Sequence, residues 1–218
     1  MGYDVTTTRW LPPCGRHGAM NATGVAIASD VSDGSSGVVA RDTNNHLWRF
    51  YVDSNNTWKA FDITAATGVS IVGSPYEDSG GIWARDTNNH LRQFYATNGA
   101  WTAFDVSKAT GISIASNITT GSSGVVARGT NNHYYEFYVD SNTNSWTDVD
   151  ITDQTGVAIQ GDPYEDASGG LWARDTNDHL RQFYVSNSAW TAFDVTKATG
   201  VAVTGNPVQG LSGEFAAS

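Results

Sequence analysis

The sequence is poor in cysteine, in positive charge and in long apolar runs, and each shortage removes a class of function. Cys14 is the one cysteine in 218 residues, so no intrachain disulfide and no thiolate metal cluster can form. Lysine and arginine number 12 against 22 acidic residues, a formal net charge of −10. A polyanion needs a basic face to displace its counterions. No basic run exists, so nucleic acid and anionic membrane are poor partners. Nothing approaches the roughly 18 consecutive apolar residues of a spanning helix, and no membrane insertion is expected. The opening MGYDVTTTRW lacks the basic and apolar regions of a signal peptide. Glutamate is restricted to Glu77, Glu136, Glu165 and Glu214, and no G-x-S-x-G, H-E-x-x-H or glycine-rich phosphate loop occurs. An enzyme is therefore not expected, nor a cofactor or a metal.

What the chain does contain is glycine (23), tryptophan (8) and tyrosine (9), arranged in a repeat. The stretch 81–111, GIWARDTNNHLRQFYATNGAWTAFDVSKATG, returns almost verbatim at 170–200, with looser copies starting at Gly37 and Gly124. The glycine that closes each copy falls at Gly24, Gly68, Gly111, Gly156 and Gly200, spacings of 44, 43, 45 and 44 residues. Such a period marks a repeat architecture. Copies two and four share P-Y-E-D and R-Q-F-Y, while one and three share S-S-G-V-V-A-R, as duplication of a two-unit ancestor would leave them.

Each copy holds four short runs rich in aromatic and β-branched residues, separated by turn residues. In the second copy these are Val69–Val72, ended by Gly73-Ser74-Pro75; Gly81–Arg85; His90–Ala96; and Trp101–Val106. Asn-Asn and Asn-Gly pairs tolerate the positive φ of tight hairpins, and no run carries a helical period long enough for a helix. The expected fold is all-β, a five-bladed β-propeller of four-stranded antiparallel blades. A β-trefoil, which wants three units, fits less well. The blades span about residues 25–67, 68–110, 111–155 and 156–199. A fifth combines 200–218, which matches the first two strands of a copy, with 1–24, where YDVTTTRW resembles a third strand and the start of a fourth. Closure by both termini removes open sheet edges. Four blades with loose ends, or partial propellers assembling between chains, are the alternatives.

The recurring His46, His90, His133 and His179 radiate apart on such a scaffold, which suits hydrogen bonding at the hairpin end rather than one shared ion. Asp62, Asp105, Asp150 and Asp194 precede a Thr/Gly turn and are expected to accept backbone N–H bonds. Arg41, Arg85, Arg128 and Arg174 end the second strand, suited to structural pairing or to a ligand's hydroxyls. The candidate binding residues lie in two glycine-loosened loops and the strands after them: Tyr76, Glu77, Asp78, Trp83 and Arg85, and their counterparts Tyr164, Glu165, Asp166, Trp172 and Arg174. Aromatic faces beside planar polar groups are what a sugar ring with vicinal hydroxyls requires.

The text W-x-x-[FV]-D-[IV]-[ST]-x-x-T-G, followed by G-[SD]-P-Y and A-R-[DG]-T-[ND]-[ND]-H, resembles the repeats of β-propeller lectins of the fucose-binding and tectonin-like kind. The likeness runs from Gly24 to Gly213. It implies shallow sugar sites between neighbouring blades and a non-enzymatic, multivalent glycan-binding protein. The chain departs from the fucose-binding pattern at two places. Glycine (Gly37, Gly81, Gly124, Gly170) stands where that pattern has arginine. The third-strand glutamate is Arg49, Gln93, Glu136 and Gln182, kept only at Glu136. A fucose site of that design is therefore not implied. The five-blade count is similar to the tachylectin type, which binds N-acetylated sugars. A protein-binding scaffold, or the non-catalytic module of a secreted enzyme, is the alternative, with a glycosidase third.

Overall fold

The computed structural model of the chain describes residues 23–34, 37–166, 168–208 and 216–217. Each full repeat becomes one four-stranded antiparallel sheet. The first holds β1 (Ser32–Gly34), β2 (Gly37–Arg41), β3 (Leu47–Val52) and β4 (Trp58–Asp62). The second holds β5 (Ile71–Asp78), β6 (Gly81–Asp86), β7 (Leu91–Thr97) and β8 (Ala100–Asp105). The third holds β9 (Thr119–Thr120), β10 (Val125–Arg128), β11 (Tyr134–Asp140) and β12 (Ser145–Asp150), and the fourth β13 (Ile159–Glu165), β14 (Leu171–Asp175), β15 (Leu180–Ser186) and β16 (Ala189–Asp194). A further hairpin pairs β17 (Pro207–Val208) with β18 (Ala216–Ala217). The expected strand at the start of the chain lies outside the described residues.

The asparagine-rich turn between the second and third strands does two jobs. Its fourth residue is left-handed in every copy, with φ of 66° at Asn45, 65° at Asn89, 65° at Asn132 and 64° at Asp178. That conformation aims the residue's carbonyl at the next repeat. Ile71 N–H donates to the Asn45 carbonyl (2.9 Å), Ile114 to Asn89 (2.8 Å), Ile159 to Asn132 (3.0 Å) and Val203 to Asp178 (3.4 Å). One turn thus ends a hairpin and docks the following sheet.

Two local features differ from the sequence reading. The five residues after each outer strand form a one-turn helix: α1 (Ile63–Thr67), α2 (Val106–Thr110), α3 (Ile151–Thr155) and α4 (Val195–Thr199). The preceding Asp caps it: Asp62, Asp105, Asp150 and Asp194 accept from the N–H of Ala65, Lys108, Asp153 and Lys197. The closing glycine is left-handed, as a helix C-terminus prefers. Asp at one end and Gly six residues on is a capped-helix signature too short to show a hydrophobic period. The Gly73-Ser74-Pro75 turn is in fact a bulge inside β5, where the register with β6 shifts between Val72 and Tyr76. Gly73 has φ of 74°, and a Cβ there would lie 2.2 Å from the Asn117 side-chain oxygen, so glycine is required twice over.

The core lies between sheets. Leu47 and Ile63 of one repeat pack on Ile71, Ile82, Ala84 and Phe94 of the next sheet. Leu91 and Val106 meet Ile114, Val125, Ala127 and Phe137, and Tyr134 and Ile151 meet Ile159, Leu171, Ala173 and Phe183. Each large apolar side chain buried this way stabilises the fold by about 1.5–3 kcal/mol, and the repeat fills equivalent positions at each junction.

Candidate functional site

Period 2 decides how each outer strand serves its neighbours. In W-x-x-F-D the Trp and Phe are three apart and point to opposite faces. The Trp therefore packs on the preceding sheet and the Phe on the following one. Phe61 stacks on Trp101 with centroids 6.1 Å apart and planes at 25°, and Phe104 on Trp146 at 6.4 Å and 27°. At the third junction Val149 takes the Phe position beside Trp190.

At the second junction these side chains line an open groove of about 500 Å³, formed by Gly80, Gln93, Tyr95 and Phe104 on one sheet and Val139, Asn144 and Trp146 on the next. Gln93 and Phe104 are cross-strand partners on one face, and Tyr95 lies two residues along. The Gln93 amide is oriented by donating to the Gly80 carbonyl (2.8 Å). Trp146 is half-buried and Phe104 is 37% exposed, so aromatic faces remain open to solvent. Trp83 holds Trp146 from behind, edge to face at 5.6 Å and 80°.

None of the sequence candidates lines this groove. Tyr76, Glu77 and Asp78 are on β5 and Tyr164 and Glu165 on β13, paired strands and not loops; Asp166 follows directly. Tyr76 lies opposite Trp83 and Tyr164 opposite Trp172. Both tryptophans are buried, 3% and 8% exposed, and neither offers a face to a sugar. Their indole N–H groups donate to Asp78 (2.9 Å) and Asp166 (2.8 Å). Burial alone would raise the Asp166 carboxyl, but donors from Ser168, Trp172 and Gly170 outweigh it and hold it below its ordinary range. The Tyr76 hydroxyl meets that of Thr120 on the third sheet, and burial pushes its ionisation up.

The recurring arginine brings its own turn and the next repeat together. Arg41 and Arg128 donate through Nε to the carbonyls of Gly73 (2.8 Å) and Gly161 (3.0 Å) in the following sheet. Arg85 and Arg174 bind their own turns, at Asn89 (2.8 Å) and Asp178 (2.7 Å). Their buried Nε atoms have no hydrogen-bond partner among the described residues. Each recurring histidine bonds through Nδ1 to the helix-capping Asp at 2.7–2.9 Å. At the third repeat, ligand atoms of His133, Asp150 and the exposed Asp153 lie within 4.8 Å of one another.

The sequence reading passed over Tyr95, Phe104 and Trp146. The signal was present, because Trp and Phe recur in W-x-x-[FV]-D and strand alternation sends them to opposite grooves.

No family model matches the chain, and no curated protein does. Among solved structures it is similar to PorZ, a bacterial surface component of the type-IX secretion system of Porphyromonas gingivalis. The identity is 12% and the TM-score 0.35, over 85% of this chain and 33% of that one. The chain spans about a third of the length of that protein.

Proposed function

We propose that the protein is a non-enzymatic β-propeller lectin that binds glycans in the grooves between neighbouring blades. The observation that carries this reading is the Gln93–Tyr95–Phe104–Trp146 groove. It combines aromatic faces for the C–H side of a pyranose with a side-chain amide fixed for its hydroxyls. Its elements recur, since Tyr51, Phe61 and Trp101 hold the same positions one junction earlier. Repeated weak sites on a rigid body suit avidity for clustered glycans. A net charge of −10 favours neutral over sulfated sugars.

We further propose five blades, the fifth made from the two chain ends. Two observations support it. Polar side chains link the inner strands in order: Ser74 with Asp30, Asn117 with Ser74 (2.9 Å), and Asp162 with Asn117 (2.8 and 2.9 Å). Asn206 stands against Gly161 as Asn117 stands against Gly73, adding a fifth member. Beyond it, Leu180, Val195 and Val203 line a cavity of about 390 Å³. In earlier repeats the next sheet covers the equivalent residues.

A glycan array of the labelled protein, repeated with Trp146→Ala and with Gln93→Ala, tests the lectin reading. Binding that either change weakens tenfold or more, with circular dichroism unchanged, is the expected result. Binding that survives both would move the sites elsewhere. Silence across neutral and N-acetylated sugars would overturn the lectin and favour a protein-binding scaffold.

A further inference from the structure

The junctions differ in charge at one pair of positions near the inner strands, and the third is out of balance. The pair consists of the third-strand residue of one repeat and the inner-strand residue of the next. At the first junction it is Arg49 and Glu77, an ion pair at 3.5 Å. At the second the equivalent residues are Gln93 and Thr120, both neutral. At the third they are Glu136 and Glu165, two acids.

Glu136 is only 3% exposed, and one of its oxygens already accepts from the Ser122 hydroxyl (2.9 Å) and the Ser123 N–H (2.6 Å). Glu165 accepts from the Thr120 hydroxyl. Among the described residues no ion pair joins either acid to a Lys or Arg. A second, independent feature marks the same spot. Tyr134 replaces Leu47, Leu91 and Leu180 of the other repeats, so its hydroxyl is an addition to an otherwise apolar position. It is fully buried, and that hydroxyl has no hydrogen-bond partner among the described residues. It shares a face of β11 with Glu136, two residues along. Burial, and then the charges of Glu136 and Glu165, push its ionisation well up. A buried hydroxyl left without a partner destabilises the fold, and a buried carboxylate beside a half-buried one does so further unless a positive charge joins them.

We propose that Glu136, Glu165, Thr120 and Tyr134 hold a hard divalent cation of the Ca²⁺ class between the third and fourth sheets. Two carboxylates balance the ion's charge, and the donor set is all oxygen, as Ca²⁺ prefers. The ion does at the third junction what the Arg49 guanidinium does at the first. The site is structural, ties two sheets together and is independent of the groove chemistry above.

The test uses the full chain, stripped with chelator and returned to Ca²⁺, with thermal melting and calorimetric titration as readouts. The wild-type protein is expected to bind one Ca²⁺ and to melt several degrees higher with it. Glu136→Gln, which places here the residue found at Gln93 and Gln182, is expected to melt higher than wild type in chelator and to lose at least tenfold in Ca²⁺ affinity. Tyr134→Leu, the residue of the other three repeats, provides a second variant that keeps the core filled and should also weaken binding. A wild-type protein that gives no heat and no shift with Ca²⁺ overturns the proposal. So does an equal shift in wild type and both variants, which would put the ion elsewhere, for example at His133, Asp150 and Asp153.

Discussion

At the residue scale, the repeats act as an internal substitution series. In the second and fourth, Asp86 and Asp175 accept from Arg92 and Arg181 at 2.7 Å. In the first, Asp42 accepts instead from the Trp48 indole (2.9 Å). In the third the aspartate is Gly129 and the arginine Tyr135, and a Cβ at 129 would come within 2.7 Å of the tyrosine ring. The two positions change together because they share one space. The same comparison separates the tryptophans. Trp83 is core, so Trp83→Ala is expected to destabilise by about 3–5 kcal/mol in denaturant unfolding. Trp146→Ala, at a half-buried groove wall, should cost less than half of that while weakening the proposed glycan binding tenfold or more. Equal losses of stability would contradict the division between core and groove.

At the element scale, the one-turn helix is held by its ends, since five residues cannot sustain a helix alone. Asp105 caps α2, accepts from His90 and is paired with Arg92 at 3.0 Å. Asp105→Ala is expected to cost about 2 kcal/mol, read by thermal melting. The pH dependence follows from the same carboxylates. Burial opposes ionisation of Asp105 and Asp194, but the hydrogen bonds and nearby cations outweigh it and depress both. A depressed folded value means stability that is present above the unfolded value, about 3.9, and is lost as pH falls through the folded one. The melting midpoint should therefore hold from pH 7 to about 4.5 and fall towards pH 3. A flat profile down to pH 3 would show that the caps contribute nothing. Burial raises Asp148 and Glu165 instead, so protonation at those two relieves rather than destabilises.

At the scale of the whole molecule, stability comes from repeated sheet-to-sheet contact, so the last sheet in the row matters most. Phe193 is 48% exposed and Val201 63% among the described residues, where Phe61 and Phe104 have a tryptophan of the next repeat to stack on. If residues 1–22 complete the fifth blade over that face, deleting them should lower both the urea midpoint and the m-value, because m scales with the surface buried on folding. An unchanged m-value would overturn the proposed fifth blade and favour four.

The sequence by itself determined the repeat, the strand order and the caps. The 44-residue period, the alternation within Trp101–Val106 and the Asp-to-Gly spacing are all local patterns that act through φ/ψ preference and burial of one face. The tyrosine- and acid-rich segments at Tyr76 and Tyr164 were visible too, but not their setting. Composition reads alike for an exposed aromatic loop and a paired inner strand, and only the partner strand decides which. Tertiary structure buried Trp83 and Trp172, left Tyr95 and Trp146 lining an open groove, and set Glu165 within the influence of the Glu136 charge, 29 residues away in sequence. Those outcomes depend on which sheet packs against which face, a long-range contact that no window of the chain contains.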